Sequence, residues 1–175
     1  MLTMDMKELI SAFNEEGVEY LLVGGYAFGV HAQPRATKDL DLFIRANARN
    51  SDAVFRALCK YGAPLGRLTA RDFRDAKTGL QIGVPPNRID ILQQVSGVTF
   101  DEAWKDRIPA MIEGDTPTYV ISRENLIKNK LAAGREQDIL DVKQIRQAAI
   151  YAPEQPLEKT AKPLLKKKTR RKIKR

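Results

Sequence analysis

The spacing of hydrophobic positions changes period twice within the first 45 residues. Leu9, Ile10 and Phe13 recur at helical spacing in residues 5–16, and Gly17 follows as a stop. Residues 18–23, VEYLLV, are a short apolar-rich run bounded by glycines, which predicts a buried strand. Residues 24–32, GGYAFGVHA, predict a short helix opened by glycines. Residues 33–37 predict a loop, because Pro34 disfavours helix at Gln33. Residues 38–44, KDLDLFI, alternate, which predicts a strand with one buried face.

Further along, residues 50–62 predict a helix with Asn50 or Ser51 as cap and Gly62 as terminator. Residues 69–76 read as a short helix. Residues 79–84 and 88–95 read as two strands joined by a turn at Pro85-Pro86-Asn87. A short helix over 99–108 and a strand over 116–122 follow. Ser122 caps a helix that Gly134 ends, and residues 135–149 form a second helix with Ile139, Val142 and Ile145 on one face. Pro153 and Pro156 mark a linker, and no internal repeat is present. Strands mixed with helices, including one hairpin, predict an α/β (α+β) fold with a mixed sheet flanked by helices. The expected organisation is a core over residues 1–121, a helical pair over 122–152 packed on it, and a tail over 153–175.

Charge changes the picture only at the tail. The chain of 175 residues carries a net +8, but residues 158–175 hold ten of its 30 basic side chains and one of its 22 acids. The rest of the chain is near neutral. The tail lacks aromatics and predicts a disordered segment that can bind nucleic-acid phosphates by counterion release. Its bland reading is a solubilising terminus. Cys59 is the only cysteine, so neither an intramolecular disulfide nor a cysteine metal cluster is available. The first ten residues lack the pattern of a secretory signal, and no apolar run reaches the ~18 residues a membrane helix needs. A cytoplasmic protein with no membrane partner is expected.

The alternating strand carries the chemistry. Asp39 and Asp41 point to one face while Leu40 and Leu42 point to the other. Two like charges so placed require solvent or a cation between them. Two Mg2+ ions ~3.5–4 Å apart would hold such acids and orient a phosphoryl-type displacement, with Mn2+ as an alternative. A third carboxylate, Asp90, sits on another predicted strand and joins the first two if those strands are neighbours. The Gly24-Gly25 step between strand and helix lets the backbone approach a phosphate at a helix N-terminus.

The stretch GGYAFGVHAQPRATKDLDLFI resembles the motif of the DNA polymerase beta superfamily of nucleotidyltransferases: a Gly-Gly or Gly-Ser step, a gap, then Asp-x-Asp. Here 13 residues separate Gly25 from Asp39. The later stretch LIKNKLAAGREQDILDVKQI is similar to helices of the AbiEii-type branch, which includes toxins of toxin–antitoxin systems. The resemblance spans roughly residues 5–149 in motif order. It implies a nucleotidyltransferase fold with residues 1–121 as its catalytic core. In it Asp39 and Asp41 bind both metals and Asp90 binds one. Gly24 and Gly25 contact nucleotide phosphates, Lys130 reaches the triphosphate, and Asp138 takes the downstream acidic position. Many members have serine where Gly25 stands, so this chain keeps only a backbone donor there.

Other residues have competing readings. Arg35 and Thr37 either touch phosphate or stabilise the loop, and Thr37 is kept among the nucleotide-binding residues. Lys38 reads as a solvated charge and His31 as a packing or helix-end residue. Lys130 and Arg135 either reach a triphosphate or form a basic surface. Asp138 and Asp141 either pair with them or position the nucleotide. Trp104 and Tyr119 read as core. The expected activity is metal-dependent transfer of an NMP from an NTP to an acceptor hydroxyl on RNA, protein or a small molecule. A toxin role with a cognate antitoxin is also expected. The alternatives are an inactive binding module acting through the tail and an NTP-dependent phosphotransferase.

Overall fold

The computed structural model describes residues 3–37, 39–74, 79–85, 87–112, 114 and 116–151. The basic tail, Lys38, and the last two residues of the helix expected over 69–76 lie outside them. The elements run α1 (Met4–Glu16), β1 (Tyr20–Leu22), α2 (Gly24–His31), β2 (Asp39–Ile44), α3 (Ala48–Tyr61), a 3-10 turn (Ala70–Phe73), β3 (Leu80–Ile82) and β4 (Arg88–Leu92). They continue with α4 (Phe100–Lys105), β5 (Ile108–Ile112), β6 (Thr116–Val120), α5 (Arg123–Ala133) and α6 (Glu136–Tyr151).

The strands form one mixed sheet in the order β3-β4-β2-β1-β6-β5. β1 runs antiparallel to β2 and parallel to β6, while β2 runs parallel to β4. β3–β4 and β5–β6 are antiparallel pairs. The sheet's apolar positions pack with Phe13, Phe28 and Phe73 into one core. α1 packs on α3, and α2 packs on β2 and on both C-terminal helices.

Local signals explain most boundaries. Thr3 caps α1 through Met6 N, and Gly17 ends it at φ 67°, a left-handed conformation that costs glycine little. Met6, Leu9, Ile10 and Phe13 then form its buried stripe. Ser122 caps α5, as expected.

Three expectations are corrected. The cap of α3 is Asn47, which accepts from Asn50 N, and not Asn50 or Ser51. Asn50 is buried one turn into the helix, where it accepts from Glu19 N at 2.7 Å and donates to Glu19 O and Arg45 O. It ties the strand-edge backbone to the helix. The helix expected to run to residue 108 ends at Lys105, and Ile108–Ile112 is an extra strand. It contains Pro109, and β5 is an edge strand with a single neighbour, the place in a sheet where proline is tolerated. On α6, Val142 and Ile145 are buried but Ile139 is exposed. The buried stripe is instead Asp138, Asp141, Val142 and Ile145, at perfect helical spacing but opening with two acids.

Candidate active site

The parallel register of β2 and β4 sets Asp39 beside Arg88 and Asp41 beside Asp90. Paired residues in neighbouring strands share a face. The four side chains therefore form a two-by-two block on one side of the sheet. On the other side Leu40, Leu42, Ile89 and Ile91 are fully buried. Three carboxylates thus face outward because their strand neighbours must face the core.

This block is part of an open cleft of ≈ 1020 Å³. Gly24, Gly25, Thr37, Asp39, Asp41, Asp90, Lys130 and Asp138 all line it, so every site residue expected from sequence meets in one place. Arg88 lines it too, and the sequence reading passed over it. Its signal was present: it precedes Asp90 by two positions and so shares its face. Its Nη2 lies 2.6 Å from Asp39 Oδ2 and 3.1 Å from Asp90 Oδ2.

The electrostatics are uneven across the block. Burial, reinforced by the charges of Asp90 and Asp39, pushes the Asp41 carboxyl up to about 6. Burial also raises Asp90, against the pull of Arg88. Asp39 Oδ1 is buried with no hydrogen-bond partner. An orphaned carboxylate oxygen among three acids fits a cation, and the all-oxygen donors suit a hard divalent ion. As the side chains stand, no group of three such donors among the described residues is gathered closely enough to hold an ion. The donor chemistry fits; the spacing is set with Arg88 in the midst of the acids.

The two glycines are required by neighbours distant in sequence. Gly24 has φ +61°, and a Cβ on it would sit 1.9 Å from Asp41 Oδ2. Backbone thus comes directly against a catalytic-candidate carboxylate. We expect Gly24→Ala to lose about 1–3 kcal/mol from backbone strain and to displace Asp41. A thermal melt and a Mn2+ titration would check both effects; an unchanged melt and unchanged binding would contradict them. A Cβ on Gly25 would sit 2.4 Å from Thr37 Oγ1. The space a serine side chain would take is already filled by the Thr37 hydroxyl, which donates to Asp39 O at 3.3 Å. α2 itself has no side-chain cap.

One wall of the cleft carries an ionic network centred on the buried Lys130, Asp138 and Asp141. Lys130 Nζ lies 3.0 Å from Asp138 Oδ1 and 2.6 Å from Asp141 Oδ2. Arg35 grips Asp141 with two bonds, Nε to Oδ1 at 3.1 Å and Nη2 to Oδ2 at 2.9 Å. Arg135 Nε adds a bond to Asp138 Oδ2 at 2.6 Å, and Gln137 donates to Asp141. Burial opposes ionisation of Asp141, but the bonds from Arg35, Lys130 and Gln137 outweigh it and hold the carboxyl at about 2. Asp138 is likewise lowered by Arg135 and Lys130 against its burial. Arg35 therefore anchors the loop that delivers Asp39.

The residues read as structural behave so. His31 Nε2 donates to Ile121 O at 2.7 Å, and burial lowers its pKa. Trp104 and Tyr119 pack edge to face, with Arg107 over both rings.

Comparison with known proteins decides the class. A family described as a nucleotidyltransferase of unknown function (DUF6036) matches residues 1–151. The chain belongs to this nucleotidyltransferase family. It is accordingly a transferase, and nucleotidyl transfer is its class of reaction. The family's description assigns no substrate and no AbiEii-type branch. Among curated proteins no match is found. Among solved structures, the antibiotic-resistance factor ANT(2'')-Ia, studied in solution for its substrate-regulated conformation dynamics, is similar with a TM-score of 0.52. It is 16% identical in sequence, and the similarity covers 83% of this chain and 81% of that one. That similarity bears on fold, and it agrees with the mixed sheet flanked by helices expected of a nucleotidyltransferase. No helix among the described residues is long and apolar enough to cross a membrane.

Proposed function

We propose that the cleft moves a nucleoside monophosphate from an NTP to an acceptor hydroxyl and releases pyrophosphate in a metal-dependent reaction. The observation that carries this reading is the β2–β4 register, with Asp39, Asp41 and Asp90 on one face beside the Gly24-Gly25 backbone. Asp39, Asp41 and Asp90 would hold Mg2+, or Mn2+ in its place. Two such ions, when bound, supply charge stabilisation for the attacking and departing oxygens.

The chain's own residues do the positioning. The uncapped start of α2, with Gly24 and Gly25 at the cleft, offers backbone N–H groups to the phosphate tail. Thr37 supplies a hydroxyl on the same side. Lys130 and Arg135, oriented by Asp138, present positive charge from the α5–α6 side of the cleft. Held this way, donor and acceptor react as neighbours, which replaces a large entropic cost of encounter.

The cleft is large enough for more than a nucleotide, since ligand pockets run to ~1,000 Å³. Part of its wall is Gln94, Ser96 and Asn129, which carry no charge. Among the described residues the one acid there beyond the central three, Asp138, is committed to Lys130 and Arg135. These features favour a neutral or phosphate-bearing acceptor over a polyamine. An RNA end is the leading candidate, in keeping with the basic sequence after residue 157. The AbiEii-type branch, the toxin role and a cognate antitoxin rest on the resemblance of the α5–α6 sequence alone.

The test uses the full chain with Mg2+, NTPs labelled at the α- or γ-phosphate, total tRNA and cell extract. We expect α-label to appear on an acceptor, and Asp39→Ala to abolish it. Transfer of γ-label instead would establish phosphotransfer. Absence of either transfer, with RNA binding unchanged in Asp39→Ala, would establish a binding module.

A further inference from the structure

We infer that Arg88 is an exchangeable counter-ion of the carboxylates: its guanidinium holds Asp39 and Asp90 until a divalent ion takes its place. Metal loading and release of Arg88 are then one event. The inference rests on the metal-dependent reading above and adds a residue and an order of events to it.

A single nitrogen, Nη2, bridges two carboxylates, at 2.6 Å to Asp39 and 3.1 Å to Asp90. Bridging two carboxylates through one positive centre is the role a metal ion would play in this block. The β2–β4 register makes the three acids adjacent, yet no three donors among the described residues are close enough for an ion as they stand. Metal binding must therefore change the present spacing, in which the guanidinium bridges Asp39 and Asp90. The guanidinium balances one of the three carboxylate charges, and a divalent ion in its place balances two. A divalent ion and a guanidinium cannot share Asp39 Oδ2 without strong repulsion at such short range.

Arg88 is held but not locked. Its side chain is 30% exposed, and its buried Nε has no hydrogen-bond partner. It is the first residue of β4, so side-chain rotation alone moves it, and the pairing of Asp41 with Asp90 is untouched. Because Arg88 lines the cleft, release leaves its charge where a triphosphate would enter.

The experiment titrates Mn2+ alone into the full chain, read by electron paramagnetic resonance, for the parent protein, Arg88→Gln and Arg88→Lys. A cation beside a carboxylate changes its proton affinity by ~1–3 pKa units, so removing the competitor should tighten Mn2+ binding by about tenfold or more. Arg88→Lys, which keeps the charge without the fork, should fall between. In chelator, Arg88→Gln should melt below the parent, and saturating Mn2+ should close that gap. A merely structural arginine would lower stability without raising metal affinity. Equal or weaker Mn2+ binding in Arg88→Gln would overturn the exchange and leave the metal reading standing. Absence of Mn2+ binding in every protein would overturn both.

Discussion

Asp41→Asn should abolish transfer and yet make the metal-free protein more stable. Burial and two neighbouring carboxylates push Asp41 up to about 6 from an ordinary 3.8. The folded state therefore binds this proton more tightly than the unfolded chain does. The sign follows: as pH rises from about 4 to about 6, the folded state loses stability relative to the unfolded one. Above that window the full cost stays, and a shift of this size amounts to about 3 kcal/mol. Asparagine carries no charge to desolvate and escapes it. In chelator at pH 8 the variant should melt several degrees above the parent, and near pH 4 the two should converge. Saturating Mg2+ should also narrow the difference, because a ligand bound only by the folded parent stabilises it. Activity should fall by at least about a hundredfold, the scale of losing one transition-state charge stabiliser. Calorimetry at the two pH values, with a transfer assay, checks all of this. A variant less stable than the parent at pH 8 would show that Asp41 is held by contacts and not strained by its neighbours.

The opposite behaviour is expected at Asp141. It is fully buried, and it is the common partner of Arg35, Lys130 and Gln137. Asp141→Ala removes one charge, takes the carboxylate partner from Arg35 and leaves Lys130, which is 4% exposed, with Asp138 alone. Breaking a buried pair in this way costs about 3–5 kcal/mol. Asp141 is held at about 2, so its contribution is complete above about 4 and is lost as pH falls towards 2. Urea unfolding at pH 7 and at pH 3 should therefore show a larger deficit for Asp141→Ala at pH 7. Transfer should fall as well, although Asp141 does not line the cleft. Arg35 would lose its anchor, and the loop ahead of Asp39 would loosen. A deficit under 1 kcal/mol at pH 7 would mean that water replaces the carboxylate at little cost.

These two aspartates show where sequence reading works and where it stops. Alternation alone separates Asp39 and Asp41 from Leu40 and Leu42, since strand geometry is local. It could not show that β4 lies next to β2, because Asp41 and its partner Asp90 are 49 positions apart, and pairing over that distance is a tertiary choice. Asp141 was legible as one of two acids three apart on a helix. A stripe of apolar residues through Ile139 was the natural reading there. The true stripe substitutes two acids for apolar side chains, which is tolerated because Lys130 and Arg35 arrive from other elements and Arg135 reaches Asp138 from three residues earlier.

By itself the sequence determined the Gly17 stop of α1, the caps of α5 at Ser122 and Gly134, the two faces of β2 and β4, and the glycine step before α2. Each follows from backbone preference within a few residues. Tertiary structure decided which acids meet and that Arg88 stands between two of them. It also decided that Gly24 must be bare because Asp41 lies against it, and that Pro109 belongs to an edge strand. Each of those depends on neighbours brought by the sheet order, and sheet order is set by burying one common core rather than by any single segment.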